Sequence, residues 1–207
     1  MNYQIIMADM VKSREKSASF MEPFNALVDE ANREFKGDML SPLTITLGDE
    51  FQGVVRHTPA AFFLLFYLNE KIIEKEYDFQ LRFSLVYGAI DTPINQEVAY
   101  NMYGAGLTRA RESLQTIKET GESCYIRVNP KVDEMLRLSM RLYFSITAGW
   151  KRSDFQKITA FLQHDDYKVL KELGLYRTTS GAWKKRKSLQ IDEYNTVKQL
   201  VTEILQS

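Results

Sequence analysis

Leu43-Thr44-Ile45-Thr46-Leu47-Gly48-Asp49-Glu50-Phe51-Gln52-Gly53-Val54-Val55-Arg56 reads as two short strands, 43–47 and 51–56, folded about Gly48-Asp49-Glu50. Apolar and β-branched residues on either side of a Gly-Asp turn are a hairpin signature. What flanks the hairpin decides the fold. Upstream, Phe20, Phe24, Leu27, Val28, Ala31 and Phe35 recur at helical spacing, and Gly37-Asp38 closes the run. Downstream, Thr58-Pro59 opens an apolar helix to about Glu76, with proline at its first position. Beyond these helices, residues 3–10 form a buried strand carrying Asp9 at its end, and residues 79–90 form a long strand broken by Asp91-Thr92-Pro93. The order β-α-β-β-α-β is the split βαβ plan of a ferredoxin-like fold. The expectation is an α+β palm with a mainly antiparallel sheet and helices on one face.

The pattern continues with a short strand around 98–103, the turn Gly104-Ala105-Gly106, a helix over about 107–120, a strand over 125–128 and a helix from Pro130 to about 141. After Thr147 only short helices follow, over 152–163, 166–173, 179–188 and 191–205. Two domains are therefore expected: a palm over 1–147 and a small all-α domain over 148–207.

Composition narrows the function classes. The chain has 207 residues, 44% of them hydrophobic and 26% charged, the balance of an ordinary globular protein. No apolar run approaches the ~20 residues that a bilayer span needs. Residues 1–4 do not open a secretion signal, so a cytoplasmic location without membrane partners is expected. A single cysteine, Cys124, offers no intramolecular disulfide and no zinc cluster; it is expected to be buried and inert. The zero net charge conceals an asymmetry. Residues 1–147 carry 16 basic and 20 acidic side chains, whereas 148–207 carry 11 basic and 7 acidic. A basic module with an anionic partner fits that distribution, as does an uneven scatter of solvated charge.

Asp9 and Asp49 are the candidate metal ligands. In a split βαβ sheet the first strand and the hairpin strand are neighbours, so both carboxylates converge at one end of the sheet. Like charges held together need a cation between them, and Mg²⁺ bound by one or two carboxylates plus substrate phosphates is the usual solution. The loop carrying Lys12, Ser13 and Arg14 offers backbone N–H groups and two cations to phosphate oxygens. The alternative is that Asp9 caps a helix and Asp49 fills a turn position that aspartate favours by itself. His57 has no recognisable nucleophile or metal partner and reads as a surface or helix-start histidine.

Met7-Ala8-Asp9-Met10, Leu47-Gly48-Asp49-Glu50-Phe51, Leu85-Val86-Tyr87-Gly88-Ala89-Ile90 and Tyr103-Gly104-Ala105-Gly106 occur in an order that resembles class III nucleotide cyclase catalytic domains. Ala8-Asp9-Met10-Val11-Lys12-Ser13-Arg14, Gly48-Asp49-Glu50-Phe51-Gln52-Gly53 and Arg109-Ala110-Arg111-Glu112 look more closely like the SatD family of bacterial proteins. The cyclase resemblance implies a ferredoxin-like palm, a homodimer and a metal-bound triphosphate at the dimer interface. It puts the metal roles on Asp9 and Asp49. The base-reading lysine falls at Ile45, its carboxylate partner at Asn101, the ribose-orienting asparagine at Thr108 and the transition-state arginine at Glu112. Arg109 and Arg111 stand near that last position in a different helical register. Asn101, Thr108, Arg109 and Arg111 thus join Lys12, Ser13 and Arg14 as candidate ligand-binding residues. Without a cation aimed at the transferring phosphoryl group, cyclase activity is not expected.

In the basic tail, residues 167–186 have the layout of a helix, a Gly-containing turn and a second helix, resembling bacterial helix-turn-helix modules. Thr178, Thr179 and Ser180 fall at the base-facing start of the second helix, and Arg177, Lys184, Lys185, Arg186 and Lys187 supply phosphate contacts to double-stranded DNA. The expected function is a regulator whose palm binds a nucleotide or other phosphorylated ligand with Mg²⁺ and whose tail binds DNA. One alternative is an enzyme acting on a nucleotide through Asp9 and Asp49, with a dimerising tail. Another is a non-catalytic interaction scaffold.

Overall fold

A computed structural model describes residues 1–11 and 20–206. The first strand, β1 (Asn2–Met10), occupies the middle of a five-stranded sheet of order β2-β3-β1-β4-β5. The hairpin is present as β2 (Met39–Ile45) and β3 (Glu50–Val55), paired antiparallel. Antiparallel pairing also joins β1 to β3 and to β4 (Leu81–Ala89). The edge strand β5 (Cys124–Arg127) runs parallel to β4. The molecule is α+β with a mainly antiparallel sheet.

Helices cover both faces of this sheet, which corrects the expectation of one face. α1 (Met21–Glu34) and α2 (Thr58–Glu74) bury Phe24, Leu27, Val28, Leu64, Leu65 and Leu68 in one core with Ile6, Ala8 and Met10 of β1. α3 (Ala105–Thr120) buries Ala110, Leu114 and Ile117 in a separate core with Ile5 and Met7. Successive side chains of a strand point to opposite faces. The unbroken apolar run Ile5-Ile6-Met7-Ala8 therefore needs cover on both sides.

The expected strand over 98–103 is an irregular loop. Asn101 has φ of 58°, which extended pairing does not allow. The segment is tied to the hairpin instead: the Ala99 N–H donates to Thr44 Oγ1 at 2.8 Å and the Tyr100 hydroxyl to the Ile45 carbonyl at 2.8 Å. α4 (Asp133–Ala148) begins later and runs one to two turns further than expected.

Beyond α4, a 3-10 turn leads into α5 (Phe155–Gln163), α6 (Tyr167–Glu172), α7 (Thr179–Ser188) and α8 (Ile191–Gln206). Ile158, Phe161, Leu170, Tyr194, Val197 and Val201 belong to the same apolar core as α1 and α2. The Trp150 indole N–H donates to the Leu189 carbonyl at 2.8 Å, and the Tyr194 hydroxyl donates to Glu70 of α2 at 2.7 Å. Lys198 pairs with the same carboxylate. Strands end with β5 at Arg127, position 147 lies in the last turn of α4, and the core runs across it.

Candidate functional site

β1 delivers Asp9 to one end of the sheet, and the turn before β3 delivers Asp49 to the same end. The Met10 N–H donates to the Asp49 carbonyl at 2.9 Å. Strand register sets Asp9 beside Glu50 of β3 on one flank and beside Arg82 of β4 on the other. This cross-strand row lies on the side covered by α3, because Asp9 shares its face with Ile5 and Met7. The last turn of α3 then places Lys118 over the row.

The distances describe a closed charge network. Lys118 Nζ lies 2.9 Å from Asp9 Oδ2 and 3.9 Å from Glu50 Oε2. Arg82 Nε lies 3.3 Å from Asp9 Oδ1, and Arg111 Nη2 lies 3.7 Å from Glu50 Oε1. The Thr46 hydroxyl donates to Glu50 Oε1 at 3.3 Å. Asp9 is 2% exposed and Glu50 5%. Burial raises the Asp9 pKa above the usual carboxylate value; Lys118 and Arg82 act against that rise, and the charge of Asp49 adds to it. Among the described residues, buried Asp9 Oδ1 accepts no hydrogen bond, so its contact with Arg82 is an ion pair without hydrogen-bond geometry. A buried acceptor left in that state is costly unless something occupies it.

That oxygen is the observation against which Mg²⁺ is tested. A hard cation takes oxygen donors and needs only one or two protein carboxylates when phosphates and water complete its shell. Asp9 and Asp49 fit this role. No group of three or more His, Cys, Asp or Glu side chains among the described residues forms an all-protein metal cage. Glu50, Arg82 and Lys118 escaped the sequence reading. Glu50 had a local signal, a carboxylate opening the otherwise largely apolar strand β3; Arg82 and Lys118 had none, since only cross-strand register and the seating of α3 bring them there.

The other candidate ligand residues are dispersed. Lys12, Ser13 and Arg14 lie outside the described residues. Arg111 reaches Glu50. Thr108 and Arg109 are exposed in the first turns of α3. That end of α3 abuts the end of β4 far from Asp9: a Cβ built on Gly106 meets the Gly88 carbonyl carbon at 2.6 Å. Ten helical residues separate Thr108 from Lys118, about 15 Å along the axis. Asn101 is exposed in the loop before α3. His57 caps α2: its Nδ1 accepts the Ala60 N–H at 3.2 Å, and its Nε2 lies 3.4 Å from Asp38. Cys124 is partly exposed by surface area, but burial of its thiol pushes its pKa well up, in keeping with an inert role.

In the tail, Thr178 caps α7 by accepting the Gly181 N–H at 3.1 Å, which commits its hydroxyl to the backbone. Arg177, Thr179, Ser180 and Lys184 are exposed. The rest of the basic run is engaged by carboxylates. Lys185 Nζ lies 2.7 Å from Asp154 Oδ1, and Lys187 Nζ lies 2.7 Å from Asp192 Oδ2. Arg186 corrects the expectation of a phosphate contact. It is 8% exposed, with Nε 2.8 Å from Asp192 and Nη2 3.3 Å from Asp165. One turn after buried Ala182, it lies on the inward face of the helix.

The chain belongs to the SatD family, whose profile matches residues 3–202. No curated protein matches it. Similar solved structures include the catalytic core of a rhodopsin-guanylyl cyclase with converted specificity, in complex with ATPalphaS. That match has 18% identity and a TM-score of 0.35, covering 56% of this chain and 74% of the other. No helix among the described residues is long and apolar enough to cross a membrane.

Proposed function

We propose that the palm binds a nucleotide or another phosphorylated small molecule together with Mg²⁺ at Asp9 and Asp49, in a regulatory role and without making a cyclic nucleotide. The observation that carries this reading is Asp9 Oδ1, a buried carboxylate oxygen that accepts no hydrogen bond from the described residues, at the sheet end shared with Asp49. Phosphate oxygens supply the rest of a Mg²⁺ shell, and Arg111 stands close by to meet their charge. Within one chain Thr108 and Arg109 sit at the far end of α3 from Asp9, so their use at the same site calls for a homodimer. Cyclisation is not part of the proposal, because Ile45 and Glu112 stand where the resemblance calls for a lysine and an arginine.

Calorimetric titration with ATP and GTP, with and without Mg²⁺, tests it. Mg²⁺-dependent binding is expected for the wild type and is lost in a folded Asp9→Asn variant, and chromatography finds no cyclic product. Equal binding by both proteins overturns the site, and a cyclic product absent from an Asp49→Asn control overturns the non-cyclase reading.

A second reading, DNA binding by the tail, is favoured by the α6-turn-α7 layout, which exposes Thr179, Ser180, Arg177 and Lys184 together. With Arg177 and Lys184 as the open cations, log Kd should change with log salt at a slope of about 2 per protomer. Fluorescence anisotropy of labelled duplexes reads this slope. Thr179→Ala should alter preference among duplexes and leave the slope intact, whereas absence of binding at low salt leaves the tail as a packing or dimerising module.

A further inference from the structure

We infer that α4 carries a self-complementary face through which two copies of this chain associate antiparallel, about a two-fold axis that passes beside Leu138. The face is separate from the proposed ligand site and from α3. The inward residues of α4, Leu136, Met140, Tyr143 and Ile146, share their core with Ile6, Ala8 and Met10, on the side of the sheet opposite Asp9.

Met135, Leu138 and Leu142 are 48, 51 and 51% exposed. Spaced three and four apart on one helix, they form a single outward stripe, whereas apolar side chains left in solvent are normally scattered. α8 packs beside α4 and leaves Leu200 exposed as well. The charges along the stripe select its occupant. Glu134 precedes Met135 by one position and Arg141 precedes Leu142 by one, so both border the stripe on the same flank, about two turns apart. A two-fold axis at Leu138 sets Leu138 against its own copy and Met135 against Leu142 of the second copy. The same axis sets Glu134 against Arg141 of the second copy, and symmetry repeats that contact in reverse. Arg141 is exposed and has no ion pair among the described residues. Glu134 receives Arg137 of its own helix, Nη2 to Oε1 at 2.6 Å and Nε to Oε2 at 3.0 Å. An ionised carboxylate has about four acceptor sites, so that contact leaves room for a second guanidinium. A parallel pairing instead sets this flank against buried Ser139 and Ile146 and leaves the charges unmatched. A patch of this size gives a reversible dimer, not an obligate one.

Sedimentation velocity of the full chain over a concentration series reads the association. The wild type is expected to dimerise reversibly, and Leu138→Glu, a change at an exposed position, to remain monomeric. Glu134→Arg and Arg141→Glu, each alone, make the flank contact repulsive at both of its symmetric copies and should weaken the dimer roughly tenfold. Mixed in equal amounts, these two variants should recover wild-type association, because each supplies the charge that the other lacks. A wild type that stays monomeric at every concentration overturns the inference, as does a dimer that Leu138→Glu leaves intact. Charge variants that dimerise as the wild type does, or a mixture no better than its components, overturn it too. If circular dichroism shows that Leu138→Glu does not fold, the charge variants, which remove no apolar cover, decide alone.

Discussion

Asp192 shows at single-residue scale why a basic run need not be a binding surface. Its carboxylate receives Lys187 and Arg186 at 2.7 and 2.8 Å, and these contacts, Lys187 first, hold its pKa below 3.8. A carboxyl depressed by folding adds stability that is fully present above its unfolded value and is lost as pH falls through the folded one. Asp192→Asn should therefore melt below wild type at neutral pH, and the gap should close as the pH drops below about 3.8. Melting curves over a pH series check this. A gap independent of pH would mean that Asp192 acts through packing alone. Asp9 behaves in the opposite sense: burial raises its pKa, so its ionised form is held against a desolvation cost that neighbouring cations only partly offset.

At the scale of elements, the seating of α3 on the sheet is what creates the site. The helix approaches β4 so closely at its first turn that a Cβ on Gly106 would meet backbone atoms of Gly88 and Ala89 at 2.6 and 2.9 Å. Backbone cannot move aside as a flexible side chain can. Gly106→Ala should thus cost about 3 kcal/mol, at the upper end of overpacking effects. It should also lift α3 and separate Lys118 from Asp9. Chemical denaturation reads the first effect, and a changed Mg²⁺-dependent ATP affinity in the folded fraction reads the second. A stability loss under about 0.5 kcal/mol, the range of a neutral surface change, would show that the helix does not sit this close. The segment 98–103 marks the limit of pattern reading at this scale. Ala99 and Met102 are buried in the core shared with β1 and α3, but Val98, Tyr100 and Tyr103 are exposed, and a positive φ at Asn101 and a bond from Ala99 to Thr44 replace a ladder.

Across the whole molecule, the helices after α4 complete the core that begins at β1. Tyr194 is fully buried against Tyr143 and Trp150, with ring centroids 5.2 and 4.9 Å apart. Burying a large apolar side chain contributes roughly 1.5–3 kcal/mol, and α8 alone buries Ile191, Tyr194, Val197 and Val201. Removing that cover exceeds the 5–15 kcal/mol margin of a typical domain once α5 and Trp150 go with it. A chain ending at residue 147 is expected to lose cooperative unfolding and near-ultraviolet circular dichroism. A sharp melt from that fragment would instead show that residues 1–147 fold independently.

The alternation and spacing of apolar residues carried the local elements: the hairpin about Gly48-Asp49, the helices on either side of it, α7, and a central strand ending in Asp9. These follow from interactions within a few residues, which periodicity and turn chemistry report directly. Asp9 and Asp49 were legible for the same reason, since strand ends and tight turns place carboxylates predictably. Tertiary structure decided the rest. Register put Glu50 and Arg82 beside Asp9, and the face chosen by α3 put Lys118 over them. Packing turned Arg186 inward and joined the helices after α4 to the core of α1 and α2. Each of these depends on which distant surfaces meet, and side chains far apart in the chain share no period that a single sequence displays.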